Sequence, residues 1–184
     1  MGDNMGKLNM EIDTLKKMIS LREEYWEYCF NTNCYAFALG LDVPENDIVK
    51  NAYQLGVIGA TIYDIPIIEL KNMTYEQRLL LDLKALKIIC KETIPTEKTD
   101  WKFNYKNQKM TSIDHCWLIA LFDNGKDFHF MRKNYDGIWY HKRGFLAPPI
   151  NYDSNKKIIT NPEECIIGDY RYVKTYKLQY KEKC

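Results

Sequence analysis

The sequence predicts an α+β fold in which helices come first and an antiparallel sheet follows. Two observations lead to this prediction. In the first half of the chain, apolar residues recur at helical spacing, over Asn9–Tyr28 and again after Thr74. In the second half, apolar runs such as Cys116–Phe122 are separated by short turn sequences, which is typical of strands joined by hairpins.

Thr74 and Gln77 have the spacing of a capping box, which marks the start of a helix. The apolar residues that follow predict an amphipathic helix over residues 74–92, which ends before Pro95. Val57–Leu70 is predicted as loop or short strand. The remaining predicted helices are Asn9–Tyr28, a short one that begins at Cys34 and closes at Gly40, and one from Pro44 through Tyr53.

The sheet is predicted as a meander joined by two tight turns, Asp123-Asn124-Gly125 and Asn134-Tyr135-Asp136-Gly137. A loop containing Pro148 and Asn151–Asn155 follows it. The predicted strands are Trp101–Tyr105, Cys116–Phe122, Phe128–Lys133, Ile138–Lys142 and Tyr170–Tyr180.

Length and composition limit the classes of protein that this chain can represent. Its 184 residues predict a single domain over 1–184, and its net charge of +1 argues against a nucleic-acid partner. No apolar run is long enough to span a bilayer, and Met1–Lys7 lacks the apolar segment of a secretory signal. We expect a cytoplasmic protein that contacts no membrane; its oligomeric state stays open.

Cys34 is the strongest candidate for a nucleophile. It follows the turn-type residues Asn31, Thr32 and Asn33 and opens a short apolar helix. A thiol at a helix N-terminus faces the positive end of the helix dipole, which lowers its pKa and favours the thiolate. The alternative is that Cys34 is a small buried hydrophobic residue.

His129 is the candidate base, because it lies on a predicted strand downstream of Cys34. Phe128 and Phe130 point to the other face of that strand, which leaves His129 free to meet the Cys34 helix. His141, on the next strand, is the candidate for the group that orients the His129 ring.

The role of His141 depends on the hairpin register. If the turn has three residues, Asn134 pairs with Ile138, Met131 lies across from His141, and both histidines share a face. A turn of two or four residues would put His141 on the wrong face. Asn151 and Asp153 are the alternatives for this position.

Further site residues follow from the same geometry. The Cys34 backbone N–H is expected to stabilise an oxyanion, with a second donor from Tyr28 or Asn31. Tyr35 and Trp139 are candidates for lining a substrate cleft, although core packing is the commoner role of aromatic residues.

His115 and Cys116 are neighbours on a strand and point to opposite faces, so we expect no catalytic pair there. The spacing of histidines and cysteines predicts no metal or other cofactor.

The pattern of Asn33-Cys34 at a helix start, His129 at a strand start and His141 ending the next strand resembles the NlpC/P60 and CHAP branch of the papain-like superfamily. The usual Asp-Cys-Ser-Gly around the nucleophile is replaced here by Asn33-Cys34-Tyr35-Ala36. The chain is also similar to a family of bacterial and phage proteins with N-C-Y-A-x-A-L-G and D-x-H-F-x-R segments. The resemblance implies a papain-like domain with the 74–92 helix inserted in it.

The expected activity is that of a cysteine-dependent hydrolase that cleaves an amide bond, as a peptidase, amidase or deamidase. Cys34 attacks, His129 transfers the proton and His141 holds the imidazole. The family's habit points to cell-wall peptides, but the missing export signal favours an intracellular peptide or protein as substrate. The alternative is a binding or sequestering protein on the same scaffold without turnover, such as a phage protein acting on a host factor.

Overall fold

The computed structural model describes residues 33–39, 67–99, 101–104, 109–112, 116–144 and 147–180. The helices are Cys34–Ala38 (α1), Ile67–Leu70 (α2) and Tyr75–Ala85 (α3). The strands are Ile88–Thr93 (β1), Trp101–Asn104 (β2), Lys109–Ser112 (β3), Cys116–Asp123 (β4), Phe128–Lys133 (β5), Trp139–His141 (β6) and Arg171–Tyr180 (β7). The predicted helices over Asn9–Tyr28 and Pro44–Tyr53 lie outside the described residues, as do Asn31 and His115.

The main sheet has five antiparallel strands in the order β1-β7-β4-β5-β6, and β2 and β3 form a separate two-stranded ribbon. This arrangement confirms the α+β class. It corrects the predicted meander, because in the main sheet only β4, β5 and β6 are both consecutive in the chain and adjacent in space. The last strand, β7, returns to pair with both β4 and β1, which makes β4 an interior strand.

Both faces of β4 are covered, which explains its continuous apolar run. Ile119 and Leu121 face a core shared with α1 and α3. Leu118, Ala120 and Phe122 face a second core, which is closed by Ile159 and Ile167 from the chain between β6 and β7. The sheet therefore has helices on one face and an irregular segment on the other.

The start of α3 is as predicted, and its end is not. Thr74 Oγ1 accepts the Gln77 N–H at 3.2 Å, and Gln77 Oε1 accepts the Thr74 N–H at 2.8 Å. The helix ends at Ala85 instead of residue 92, because Lys87 has a left-handed φ of 57° and β1 begins at Ile88. The β-branched residues of β1 favour the strand, and pairing with β7 supplies its hydrogen bonds.

Two further points concern the helices. Residues 67–70 form a short helix, where the sequence predicted loop or short strand. No helix in the described part of the chain is long and apolar enough to cross a bilayer.

Both predicted hairpins are confirmed. Asp123 pairs with Phe128 at the first, and Met131 pairs with His141 at the second. The Asn134 N–H donates to the Ile138 carbonyl at 2.9 Å, so the second turn has three residues as expected. Gly137 takes a φ of 79°, a left-handed conformation that glycine adopts without a steric penalty. This register puts His129 and His141 on one face.

Candidate active site

Cys34 is the first residue of α1, as the sequence predicts. Asn33 caps the helix, since its side-chain oxygen accepts the Ala36 N–H at 2.8 Å and its carbonyl accepts the Phe37 N–H at 3.0 Å. The cap leaves the N–H groups of the first turn directed toward the start of the helix. The thiol lies among them, and the side chain is 8% exposed.

The helix does not meet the face of β5 that the sequence predicted. Tyr35 packs on Phe128 and Phe130, with ring centroids 6.3 Å and 4.9 Å apart, so α1 covers the phenylalanine face. Among the described strands, β6 pairs with β5 only at Met131–Lys133, which leaves the edge of β5 unpaired beside His129. The Phe130 N–H interacts with the Cys34 sulfur, so the thiol lies alongside this strand.

A chain of two hydrogen bonds fixes the protons on both histidines. His141 Nε2 lies 3.1 Å from the Tyr152 carbonyl, which only accepts, so His141 carries its proton there. His141 Nδ1 is then the acceptor for His129 Nε2–H, 2.8 Å away. Burial lowers the pKa of both rings and keeps them neutral. The lone pair of His129 is therefore on Nδ1, which makes this atom the available base.

The ionisation of Cys34 differs from the sequence prediction. Burial raises the pKa of the thiol to about 12, and the charge of Asp127 acts in the same direction. The backbone N–H groups of Phe130, Tyr35 and Cys34 lower the pKa but do not reverse the shift. Burial, followed by the charges of His141 and Arg143, lowers the pKa of His129 to about 3. The resting pair is a neutral thiol and a neutral imidazole, because desolvation outweighs the effect of a five-residue helix.

The three candidate catalytic residues line one cavity of about 510 Å³. This volume lies within the range of small-ligand sites. The start of α1, the start of β5, the end of β6 and the segment before β7 surround it. The lining residues are Asn33, Cys34, Asp127, Phe128, His129, His141, Arg143, Gly144, Ser154, Ile167, Gly168 and Tyr170. A separation of about 3 to 4.5 Å between the Cys34 sulfur and a ring nitrogen of His129, as proton transfer requires, stays a prediction.

The segment before β7 forms one wall of this cavity. The Tyr170 hydroxyl donates to Asp127 Oδ2 at 2.7 Å, and its ring lies 5.6 Å from the His129 ring between centroids. Ser154 Oγ accepts the Gly168 N–H at 2.9 Å. The sequence predicted a loop containing Pro148 and Asn151–Asn155 and a strand from Tyr170, and it missed Asp127, Arg143 and Tyr170 as site residues. Of these, Asp127 carried a local signal, since it precedes the predicted base by two positions, which is the spacing of side chains on one face of an extended chain.

The predicted cleft residues lie elsewhere. Tyr35 is 0% exposed and donates to Asp82 Oδ2 at 2.6 Å, in the core beneath α1. Trp139 is also 0% exposed, in the second core beside Met131. Their large apolar rings are more stable buried than lining a wet cleft, so a role in substrate contact does not fit their placement. Tyr28 and Asn31 lie outside the described residues.

The alternatives to His141 occupy other positions. The Asp153 carboxylate accepts the N–H groups of Asn155, Lys157 and Ile166, which organises its own loop. Asn151 contributes its carbonyl to the Ile159 N–H. Since His129 Nε2 bonds His141, the geometry favours His141 as the orienting group. Cys116 is buried in β4, in agreement with its predicted core role.

Comparison with known proteins gives no relative: no family model, no curated protein and no solved structure matches this chain. Within the described ranges, no three histidine, cysteine or acidic side chains come together as metal ligands would. The site's own geometry is therefore the basis for a functional proposal.

Proposed function

We propose that this protein is a cysteine-dependent hydrolase that cleaves an amide bond of a peptide or protein. The observation that supports it is the pair of hydrogen bonds from His129 through His141 to the Tyr152 carbonyl. Such a chain leaves one ring nitrogen of His129 unprotonated, in a cavity that Cys34 also lines. A nucleophile, a base and a group that orients the base are the parts that acyl transfer requires.

In the proposed reaction, Cys34 Sγ attacks the amide carbon while its proton passes to His129 Nδ1. The C–N bond then breaks, and the imidazolium returns the proton to the leaving amine. Water, deprotonated by the same nitrogen, hydrolyses the thioester and restores the thiol. His141 stabilises the transient imidazolium by accepting from its Nε2–H.

The Cys34 thiol and the His129 imidazole are both neutral at rest, and this determines when the proton moves. A thiol with a pKa of about 12 and an imidazole with a pKa of about 3, both lining one cavity, do not form a resting ion pair. Proton transfer must therefore accompany attack, with His129 as a general base. The Cys34 backbone N–H is the proposed first oxyanion donor, and a second from Tyr28 or Asn31 stays a prediction.

The second candidate function is binding without turnover on the same scaffold. The observation that favours it is the burial of Cys34, whose side chain belongs to the core cluster with Tyr35 and Phe130. A buried, protonated thiol is typical of a structural cysteine. The two functions differ in one measurable property, which is whether the reactivity of Cys34 depends on His129.

An activated ester tests the proposal without knowledge of the substrate. p-Nitrophenyl acetate should release a burst of p-nitrophenol equal in moles to the enzyme present. Peptide mass spectrometry should then find one acetyl group, on Cys34. Cys34→Ala should abolish the burst. Cys165→Ala is the matched control, since Cys165 is also a free thiol whose pKa burial raises, but it lies outside the cavity lining.

Acetylation spread over Cys90 and Cys165, or a Cys34 signal unchanged by His129→Gln, would favour the binding function.

The substrate class and its place in the cell are part of the proposal. We propose an intracellular substrate and a cytoplasmic location; of the described cysteines, Cys34, Cys90 and Cys165 are free thiols.

A further inference from the structure

Two charged side chains, Asp127 and Arg143, line the cavity together with the neutral histidines, and they differ in their contacts. Asp127 accepts the Tyr170 hydroxyl at 2.7 Å and its Oδ1 accepts the Phe128 N–H at 2.8 Å. Arg143 is exposed on the cavity wall, and no carboxylate in the described part of the chain pairs with it. The positive charge is therefore available to a ligand, and the negative charge is already bonded.

Arg143 also acts on the chemistry of the site. It follows β6 two residues after His141, and its charge reaches both imidazoles. A positive charge there opposes the imidazolium that His129 must become during attack. A ligand that neutralises Arg143 removes this opposition and makes His129 a stronger base.

We propose that Arg143 binds a carboxylate of the substrate, so that the amide cleaved belongs to an acidic peptide. The guanidinium group is planar and binds a carboxylate through two parallel hydrogen bonds. The cavity is open at the next residue, since a Cβ built on Gly144 would meet no heavy atom within 4 Å apart from those of its chain neighbours. This inference rests on the proposed function, because it names the substrate of the same site.

Binding to the Cys34→Ala protein tests the inference separately from turnover. The probes are acetyl-Ala-Glu-Ala amide, its Gln counterpart, and the Gln peptide with a free C-terminal carboxylate. Calorimetry should show that one carboxylate probe binds about tenfold more tightly than the uncharged peptide, and that added salt weakens this preference. If the Glu peptide amide binds more tightly, the group recognised is a side-chain carboxylate. If the Gln peptide with a free C-terminus binds more tightly, it is a terminal carboxylate.

Arg143→Gln should remove the preference, and Arg143→Lys should retain part of it, because the charge stays and the paired geometry is lost. Arg171→Gln is the matched control, since Arg171 is also exposed and lies outside the cavity lining. Equal binding of all probes, no binding of any, or a preference that survives Arg143→Gln would overturn the inference. A preference that depends on Arg143, in a protein whose Cys34 is never acetylated, would instead refute only the hydrolase function.

Discussion

The cavity has two walls of different construction. Cys34, His129 and His141 belong to a helix start and two paired strands, where backbone hydrogen bonds fix each residue. The opposite wall comes from the irregular chain before β7, where side chains such as Asp153 and Ser154 hold the backbone in place. The groups proposed to react stand on regular elements, and the loop orients and encloses them.

The largest effect should follow from removing the base on the strand wall. His129→Gln keeps the volume of the side chain but loses Nδ1, so acetylation of Cys34 by p-nitrophenyl acetate should slow by about a thousandfold. The burst rate from stopped-flow absorbance measures this change. Circular dichroism should show an unchanged fold, and a rate within threefold of the starting protein would refute the role of His129 as base.

The next effect concerns the orienting residue. His141→Ala leaves His129 Nε2–H without its acceptor, and the acetylation rate should fall on the order of 100-fold, less than for His129→Gln. His141→Asn offers a side-chain oxygen in the same direction and should recover part of the rate. If His141 had only a structural role, His141→Ala and His141→Asn would have equal acetylation rates, and both would have a lower melting temperature.

The protein should lose stability at acidic pH, because the His129 imidazole is buried. Burial, the His141 charge and the Arg143 charge lower the pKa of His129 to about 3, below the value of 6.5 that it regains on unfolding. Between these values the unfolded chain binds the extra proton, so stability is full above pH 6.5 and falls as the pH drops. At pH 5 the loss from His129 is about 2 kcal/mol. Urea unfolding of the protein and of His129→Gln at pH 7 and pH 5 measures it; equal losses in both would contradict the assignment.

These two walls also mark what the sequence can predict. The turn from Asn134 to Ile138 is a local pattern, and it was enough to predict the register that brings His129 and His141 together. The predicted end of α3 was wrong because pairing with β7 stabilises β1 as a strand. β7 lies far along the chain, and no local sequence pattern shows this pairing.

The loop wall and the ionisation of Cys34 depend on the same kind of distant contact. The position of the Tyr152 carbonyl follows from how the 152–170 segment folds back, which hydrogen bonds to Asp153 determine. The pKa of Cys34 follows from burial beneath residues of several elements. Neither property can be read from neighbouring residues.

The smallest effect should come from the loop wall. Tyr170→Phe keeps the ring beside His129 and removes only the hydroxyl that binds Asp127, so acetylation should slow by about two- to fivefold. Tyr170→Ala should have a larger effect, because the ring that limits the motion of His129 is also lost. Tyr140→Phe is the matched control, since Tyr140 donates to Asp136 Oδ2 at 2.8 Å, outside the cavity lining. If Tyr170→Phe slowed the reaction as strongly as His141→Ala, the loop would contribute a reacting group, and the division between the two walls would be wrong.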